Sequence, residues 1–177
     1  MTSYAGQGSV MQKANSTSTV PFQAVSDGSN SCRIQLFNPE TPQQPGRLRI
    51  HVLFTNPGDT RAALNTAIDM ACELESEIAL IVTQIVPFPL PLDDPPVPLD
   101  FASEQIRRLA ESVSAGRTEL QGYIYFCRNP IETLLRELPA RSLIVIGVRP
   151  HWPFGKSKRL ARALRRSGHE VILANHE

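Results

Sequence analysis

From Arg49 onward the sequence alternates between two patterns, and the alternation leaves few folds open. Short apolar runs occupy Ile50 to Thr55, Ile78 to Val86, Tyr123 to Phe126, Leu143 to Gly147 and Val171 to Ala174. Each is rich in Ile, Val, Leu or aromatic residues and short enough to cross a sheet once. Their near-continuous hydrophobicity is that of parallel strands covered on both faces. Between them the apolar residues recur at three and four residue steps, as on a helix with one buried stripe. A β-α-β-α-β-α-β-α-β order with right-handed crossovers predicts an α/β fold, a doubly wound five-stranded parallel sheet with strand order 3-2-1-4-5.

The helical stretches can be placed residue by residue. Leu64, Ala67, Ile68, Ala71 and Leu74 form the stripe of the first predicted helix. Ala102, Ile106, Leu109 and Val113 form that of the second, with Arg107, Arg108 and Glu111 turned to water. The third has the clearest start: Asn129 as N-cap, Pro130 at the first helical position and Glu132 placed to complete a capping box. Its stripe is Ile131, Leu134, Leu135 and Leu138. The fourth runs from about Ser157 to Ser167, with Leu160, Ala163 and Leu164 inward and Gly168 suited to a left-handed C-cap.

Residues 1–46 read differently. They are rich in Ser, Thr, Gln, Asn, Gly and Pro with no sustained apolar period, so a disordered leader is expected there and a single domain over 47–177. Ile34, Leu36 and Phe37 around Gln35 are its one apolar knot, for which a short strand or docking turn is the alternative to disorder. The segment from Pro87 to Leu99 alternates proline with leucine or valine and is expected to be stiff and extended, a variable loop or else a recognition segment for a partner.

A net charge of +1 gives no overall pull toward nucleic acid or acidic lipid, so any electrostatic argument is local. The longest apolar stretch, Ile78 to Val86, is far short of a bilayer span, and the N-terminus has neither a basic nor an apolar signal region; a cytoplasmic protein with no membrane contact is expected. Cys32, Cys72 and Cys127 match no disulfide framework or CxxC pair and are expected as free thiols. His51, His151, His169 and His176 show no metal-ligand spacing, so no metal is expected. No G-x-S-x-G elbow, Walker loop or HxGH motif is present, and no base is spaced to activate Cys127, although Arg128 beside it could lower that thiol's pKa. A non-enzymatic protein with no catalytic residues is the expectation.

Ligands of doubly wound sheets bind at the carboxyl ends of the strands flanking the switch point, here the first and fourth, so the loops from Thr55 to Thr60 and Val148 to Ser157 are the candidates. The second leads into a basic cluster of Lys156, Lys158, Arg159, Arg162, Arg165 and Arg166, with Arg149 upstream. Cations at a helix N-terminus oppose the macrodipole, each costing about 0.3 to 1 kcal/mol when exposed. A bound anion would reverse that sign, and a solvated basic face is the alternative. Trp152 and Phe154 beside the cluster could stack on a base or pack on their own domain, and His151 could meet a phosphate.

The four segments RIHVLFTNPGDTRAALNTAIDMACELESEIALIVTQIVP, CRNPIETLLREL, RSLIVIGVR and LARALRRSGHEVILA carry a resemblance to the universal stress protein family, a branch of the adenine-nucleotide α-hydrolase-like group. The first resembles the family's first strand, helix and second strand. The second resembles the turn opening the third helix, the third the fourth strand, and the fourth the last helix and strand. They are distributed over about 130 residues from Arg47 to Glu177, the bulk of one domain.

The resemblance implies ATP or another adenine nucleotide as cofactor, held by an acidic residue ending the first strand and a G-x2-G-x9-G-[ST] signature after the fourth. The acidic position falls on Thr55 or Asn56, neither a carboxylate. Gly147 matches the first glycine, the second falls on Pro150, which has no N–H, and the terminal pair falls on Ser157 and Lys158. Realigned by two residues, Gly155 replaces the missing glycine and Ser157 still supplies a hydroxyl. Thr55, Asn56, Gly147, Arg149, Gly155, Lys156, Ser157 and Lys158 are thus the candidate ligand residues, for a signature largely worn away. The leading expectation is a regulatory or stress-response module, homodimeric through the edge formed by Val171, Ile172 and Leu173. A module for a small phosphate ligand is the alternative, and nucleic-acid binding through the basic last helix a weaker one.

Overall fold

The computed structural model describes residues 31–37, 48–93, 99–114, 118, 120–149 and 155–175. Among them are six strands and four helices. In chain order these are β1 (Ser31–Phe37), β2 (Arg49–Leu53), α1 (Pro57–Leu74), β3 (Glu77–Ile85), α2 (Leu99–Ser114), β4 (Leu120–Cys127), α3 (Pro130–Glu137), β5 (Leu143–Val148), α4 (Lys156–Arg166) and β6 (Glu170–Asn175). They form one sheet in the order β1-β4-β3-β2-β5-β6. The five strands from β2 onward are mutually parallel and hold the predicted 3-2-1-4-5 order.

The sheet has six strands where five were expected, because β1 pairs antiparallel with the outer side of β4, from Ser31 opposite Cys127 to Phe37 opposite Gly122. This corrects the disordered-leader expectation for residues 31–37; the rest of 1–46 lies outside the described residues. The physical reason is the edge itself. Without β1, a long apolar strand would present a row of open main-chain groups. With it, Cys32 and Ile34 join the core at 1% and 4% exposure.

Alternate residues of the parallel strands feed two apolar layers. Ile50, Val52, Ile78, Leu80 and Val145 face α1 and α2, while Leu53, Ala79, Ile81, Ile144 and Ile146 face α3 and α4. α1 lays Ala63, Leu64, Ala67, Ile68 and Ala71 on the sheet; its alanines let the helix axis come close. Leu74, predicted in that stripe, is 50% exposed, because the helix turns out through left-handed Glu75 just after it. Leu135 is likewise exposed, since Thr133 and Leu134 take the buried places of α3.

Caps follow the sequence closely. Asn129 accepts hydrogen bonds from the N–H groups of Ile131 and Glu132, with Pro130 at the first helical position. Among the described residues no bond returns from the Glu132 carboxylate to Asn129, so the box is half formed. α4 ends in a Schellman arrangement, with His169 N–H on the Leu164 carbonyl and Gly168 N–H on the Arg165 carbonyl, Gly168 having φ 88°. The stiff segment expected after β3 begins instead with a turn, the Leu90 N–H donating to the Pro87 carbonyl. Residues 94–98 of that segment lie outside the described residues, and α2 opens at Leu99.

Candidate functional site

The carboxyl ends of β2 and β5, the adjacent strands that flank the switch point, meet where α1 begins. The local sequence Asn-Pro-Gly-Asp makes that beginning: Asn56 is the N-cap, Pro57 stands at the first helical position, and the Asn56 side-chain oxygen accepts from the Asp59 N–H at 3.0 Å. Asn56 Nδ2 donates back to Asp59 Oδ2. The Thr55 N–H is held by Thr60 Oγ1 at 3.2 Å. Thr55 and Asn56 thus hold the turn together.

Asp59 is a carboxylate that the sequence reading did not single out. It is 4% exposed, and its Oδ1 lies 3.6 Å from Arg149 Nε. That separation is too long for a hydrogen bond, so charge attraction alone links them, and Asp59 Oδ1 has no hydrogen-bond partner among the described residues. Thr55 Oγ1 is a second buried atom in that condition. The signal for Asp59 was present: Asn-Pro-x-Asp at 56–59 repeats the Asn-Pro-x-Glu pattern at 129–132.

Gly147 has a packing role in this corner. A Cβ there would lie 1.8 Å from the Asp59 carbonyl oxygen and 2.3 Å from its carbon. The first turn of α1 therefore rests directly on β5, and any side chain at 147 would push it off. Close packing of helix on strand accounts for a glycine here whether or not a ligand visits.

Thr55, Asn56, Gly147 and Arg149 are thus brought together around Asp59. Gly155, Lys156, Ser157 and Lys158 open α4, where Gly155 is an N-cap without a side-chain bond and takes the N–H groups of Lys158 and Arg159 on its carbonyl. No hydrogen bond or ion pair joins these four to the Asp59 corner among the described residues. Lys158 instead lines a groove with Arg162, Arg165 and Arg166 beside β6. His151, Trp152 and Phe154, named from sequence as phosphate or base contacts, lie outside the described residues, as does Pro150.

Cys127 is a buried thiol at the end of β4. Its thiol pKa is raised by burial, against smaller opposing effects of a Thr133 hydrogen bond and the Arg136 charge. Arg128, the neighbour that could have lowered it, donates instead to the Val86 and Leu90 carbonyls, each at 2.6 Å.

A second hollow, of about 380 Å³, lies on the α3 side of the sheet toward the strands' amino ends, where His51, Arg49 and Tyr125 line it. Burial, then the positive charge of Arg49 and of His169, lowers the His51 pKa to about 4, so the imidazole is neutral at pH 7. Arg49 is itself paired with buried Glu77 at 2.9 Å. Among the described residues no three His, Cys, Asp or Glu side chains converge as a metal site requires, and no helix is long and apolar enough to cross a membrane.

No protein-family profile matches the chain, and no curated protein matches it in sequence. Solved structures do. A universal stress protein from Archaeoglobus fulgidus superposes with a TM-score of 0.52 at 16% identity, over 72% of this chain and 93% of that one. UspA from Lactobacillus plantarum gives 0.51 at 14% identity, over 73% and 99%. The fold is that of the universal stress proteins. A further member, solved in complex with cAMP, gives 0.51 at 16% identity over 74% of this chain and 98% of that one. At such identities the likeness establishes the universal stress protein fold and not the ligand residues.

Proposed function

We propose that residues 47–177, joined by β1, form a non-catalytic regulatory module of the universal stress protein fold that works through protein contacts along the β6 edge. The observation that carries this reading is the state of the switch point. Most of its polar groups are engaged with one another, the Asn56 side chain with Asp59, the Thr55 N–H with Thr60 and the Arg149 charge with Asp59, which leaves Thr55 Oγ1 and Asp59 Oδ1 without a hydrogen-bond partner among the described residues. Among the described residues the sheet has two edge strands, β1 and β6, and β6 is the one beside the basic face of α4. A second copy is the simplest partner for Val171, Ile172 and Leu173. Antiparallel pairing of β6 with its twin would set both α4 helices side by side on one face, cations against cations. Self-association is therefore expected to strengthen as salt rises. Light scattering at tens of micromolar in low and high salt measures it, and a monodisperse monomer in both removes the dimer.

A second reading, an adenine-nucleotide module, has a specific observation in its favour. Thr55 Oγ1 and Asp59 Oδ1 are buried without hydrogen-bond partners among the described residues, and a ribose hydroxyl or adenine amine would satisfy them. Arg149, 71% exposed, could then leave Asp59 for a phosphate, with Gly147, Gly155, Lys156, Ser157 and Lys158 supplying further contacts. A solved protein of the same fold holds cAMP. Denaturing the purified protein and weighing what is released, followed by calorimetric titration with ATP, AMP and cAMP, separates the readings. The first expects no nucleotide and no heat at millimolar ligand; a stoichiometric adenine nucleotide would overturn it.

A further inference from the structure

The ladder between β5 and β6 carries the Glu170 N–H onto the Ser142 carbonyl at 3.0 Å. Alternation along a parallel strand then turns the main chains of Val171 and Leu173 outward, away from the sheet. One of those outward groups is covered. Arg165, in the last turn of α4, donates from Nη2 to the Val171 carbonyl at 2.6 Å. A helix cation thus sits on the edge where another strand would add.

Beside that contact α4 and β6 enclose a groove of about 390 Å³ lined by Lys158, Ala161, Arg162, Arg165, Arg166 and Leu173. Four cations face it with no acid among its described lining residues, and α4 itself contains no acidic residue. Ala161 and Leu173 give it an apolar floor. In a chain with net charge +1 this is a concentrated positive field next to open main-chain groups.

We propose that the β6 edge and this groove take an extended acidic segment of a partner protein, added to the sheet as a strand, and that Arg165 is the latch making the edge selective for acid. The proposal rests on the reading that the module works through contacts along β6, and it gives the partner its chemistry. An incoming carboxylate draws the Arg165 guanidinium off the Val171 carbonyl, since a charged acceptor binds it more strongly than a carbonyl does. That carbonyl, with the outward groups of Leu173, then pairs with the incoming main chain while further acidic side chains meet Arg162, Arg166 and Lys158. A neutral strand offers Arg165 only another carbonyl, no stronger than the one it already holds, and meets a blocked edge. A second copy brings cations to cations. A nucleic acid brings anions but no peptide groups for the edge.

Fluorescence anisotropy of a labelled decapeptide of alternating Glu and Val, titrated with the full chain, tests this. Binding is expected to weaken about tenfold or more between about 50 mM and about 500 mM salt, opposite in slope to self-association. It should vanish for a Glu-Pro decapeptide, which keeps the charge but lacks half the main-chain donors. It should fall about tenfold for each of Arg162→Glu and Arg166→Glu. Arg165→Ala should lose affinity for the Glu-Val peptide and gain binding of a neutral Thr-Val decapeptide, a gain that a merely structural arginine would not give. Equal binding of the proline peptide, or tighter binding of oligothymidylate than of the Glu-Val peptide, overturns strand addition. A silent peptide overturns the acidic partner in any case. If self-association through β6 persists, the contact reading stands without it; if a bound adenine nucleotide is released instead, both fall.

Discussion

Gly147 and Asp59 show how one missing side chain sets the site. With a Cβ position only 1.8 Å from the Asp59 carbonyl oxygen, Gly147→Ala must displace the first turn of α1. A loss of about 1 to 3 kcal/mol is expected, read as a lower urea midpoint at unchanged slope. His51 gives a pH dependence of known sign. The unfolded imidazole takes its proton near 6.5, the folded one only at about 4, so the unfolded state binds more protons in between. Stability therefore falls as pH drops from about 6.5 to about 4, by about 3 kcal/mol from this residue. His51→Leu should flatten that part of the profile relative to the natural chain. Urea midpoints measured across that range check it, and parallel profiles would remove His51 as the cause.

At the scale of elements, β1 and α4 carry the results that sequence patterns did not. β1 is a sheet strand in a stretch whose composition is that of a leader, and Ile34 is its anchor at 4% exposure. Ile34→Ala is expected to cost about 2 to 5 kcal/mol; an effect near zero would mean the strand contributes nothing to the fold. Phe37 closes the same pairing, its ring lying 2.3 Å from where a Cβ of Gly122 would be. The N-cap of α3 and the left-handed C-cap of α4 were legible because a cap needs only residues within one turn. The partition of α4's cations was not. Periodicity placed them on one helix, but whether they look to the switch point or to the β6 edge depends on how α4 lies on the sheet.

For the whole molecule, the thiols report on cooperativity. Cys32 of β1 and Cys127 of β4 are buried, and Cys72 of α1 is exposed. One thiol of the three should react with an aromatic disulfide reagent in the native state. The other two should become reactive together, at the denaturant midpoint of global unfolding. If Cys32 reacted well before that midpoint, β1 would peel from the sheet independently. The order of the five parallel strands, both helical layers and the position of the switch point were all readable beforehand, since each follows from local period and the handedness of crossovers.

The residues alone therefore determined the parallel α/β architecture, the start of α3 and the corner where a ligand would be sought. The tertiary structure decided three further things: that residues 31–37 add a strand beyond β4, that Asp59 and Arg149 meet in the corner, and that Arg165 bonds the Val171 carbonyl of β6. The physical reason is range. Burial period and capping are written within a few consecutive residues, whereas these three contacts join groups whose approach is set by how the sheet and its helices stack.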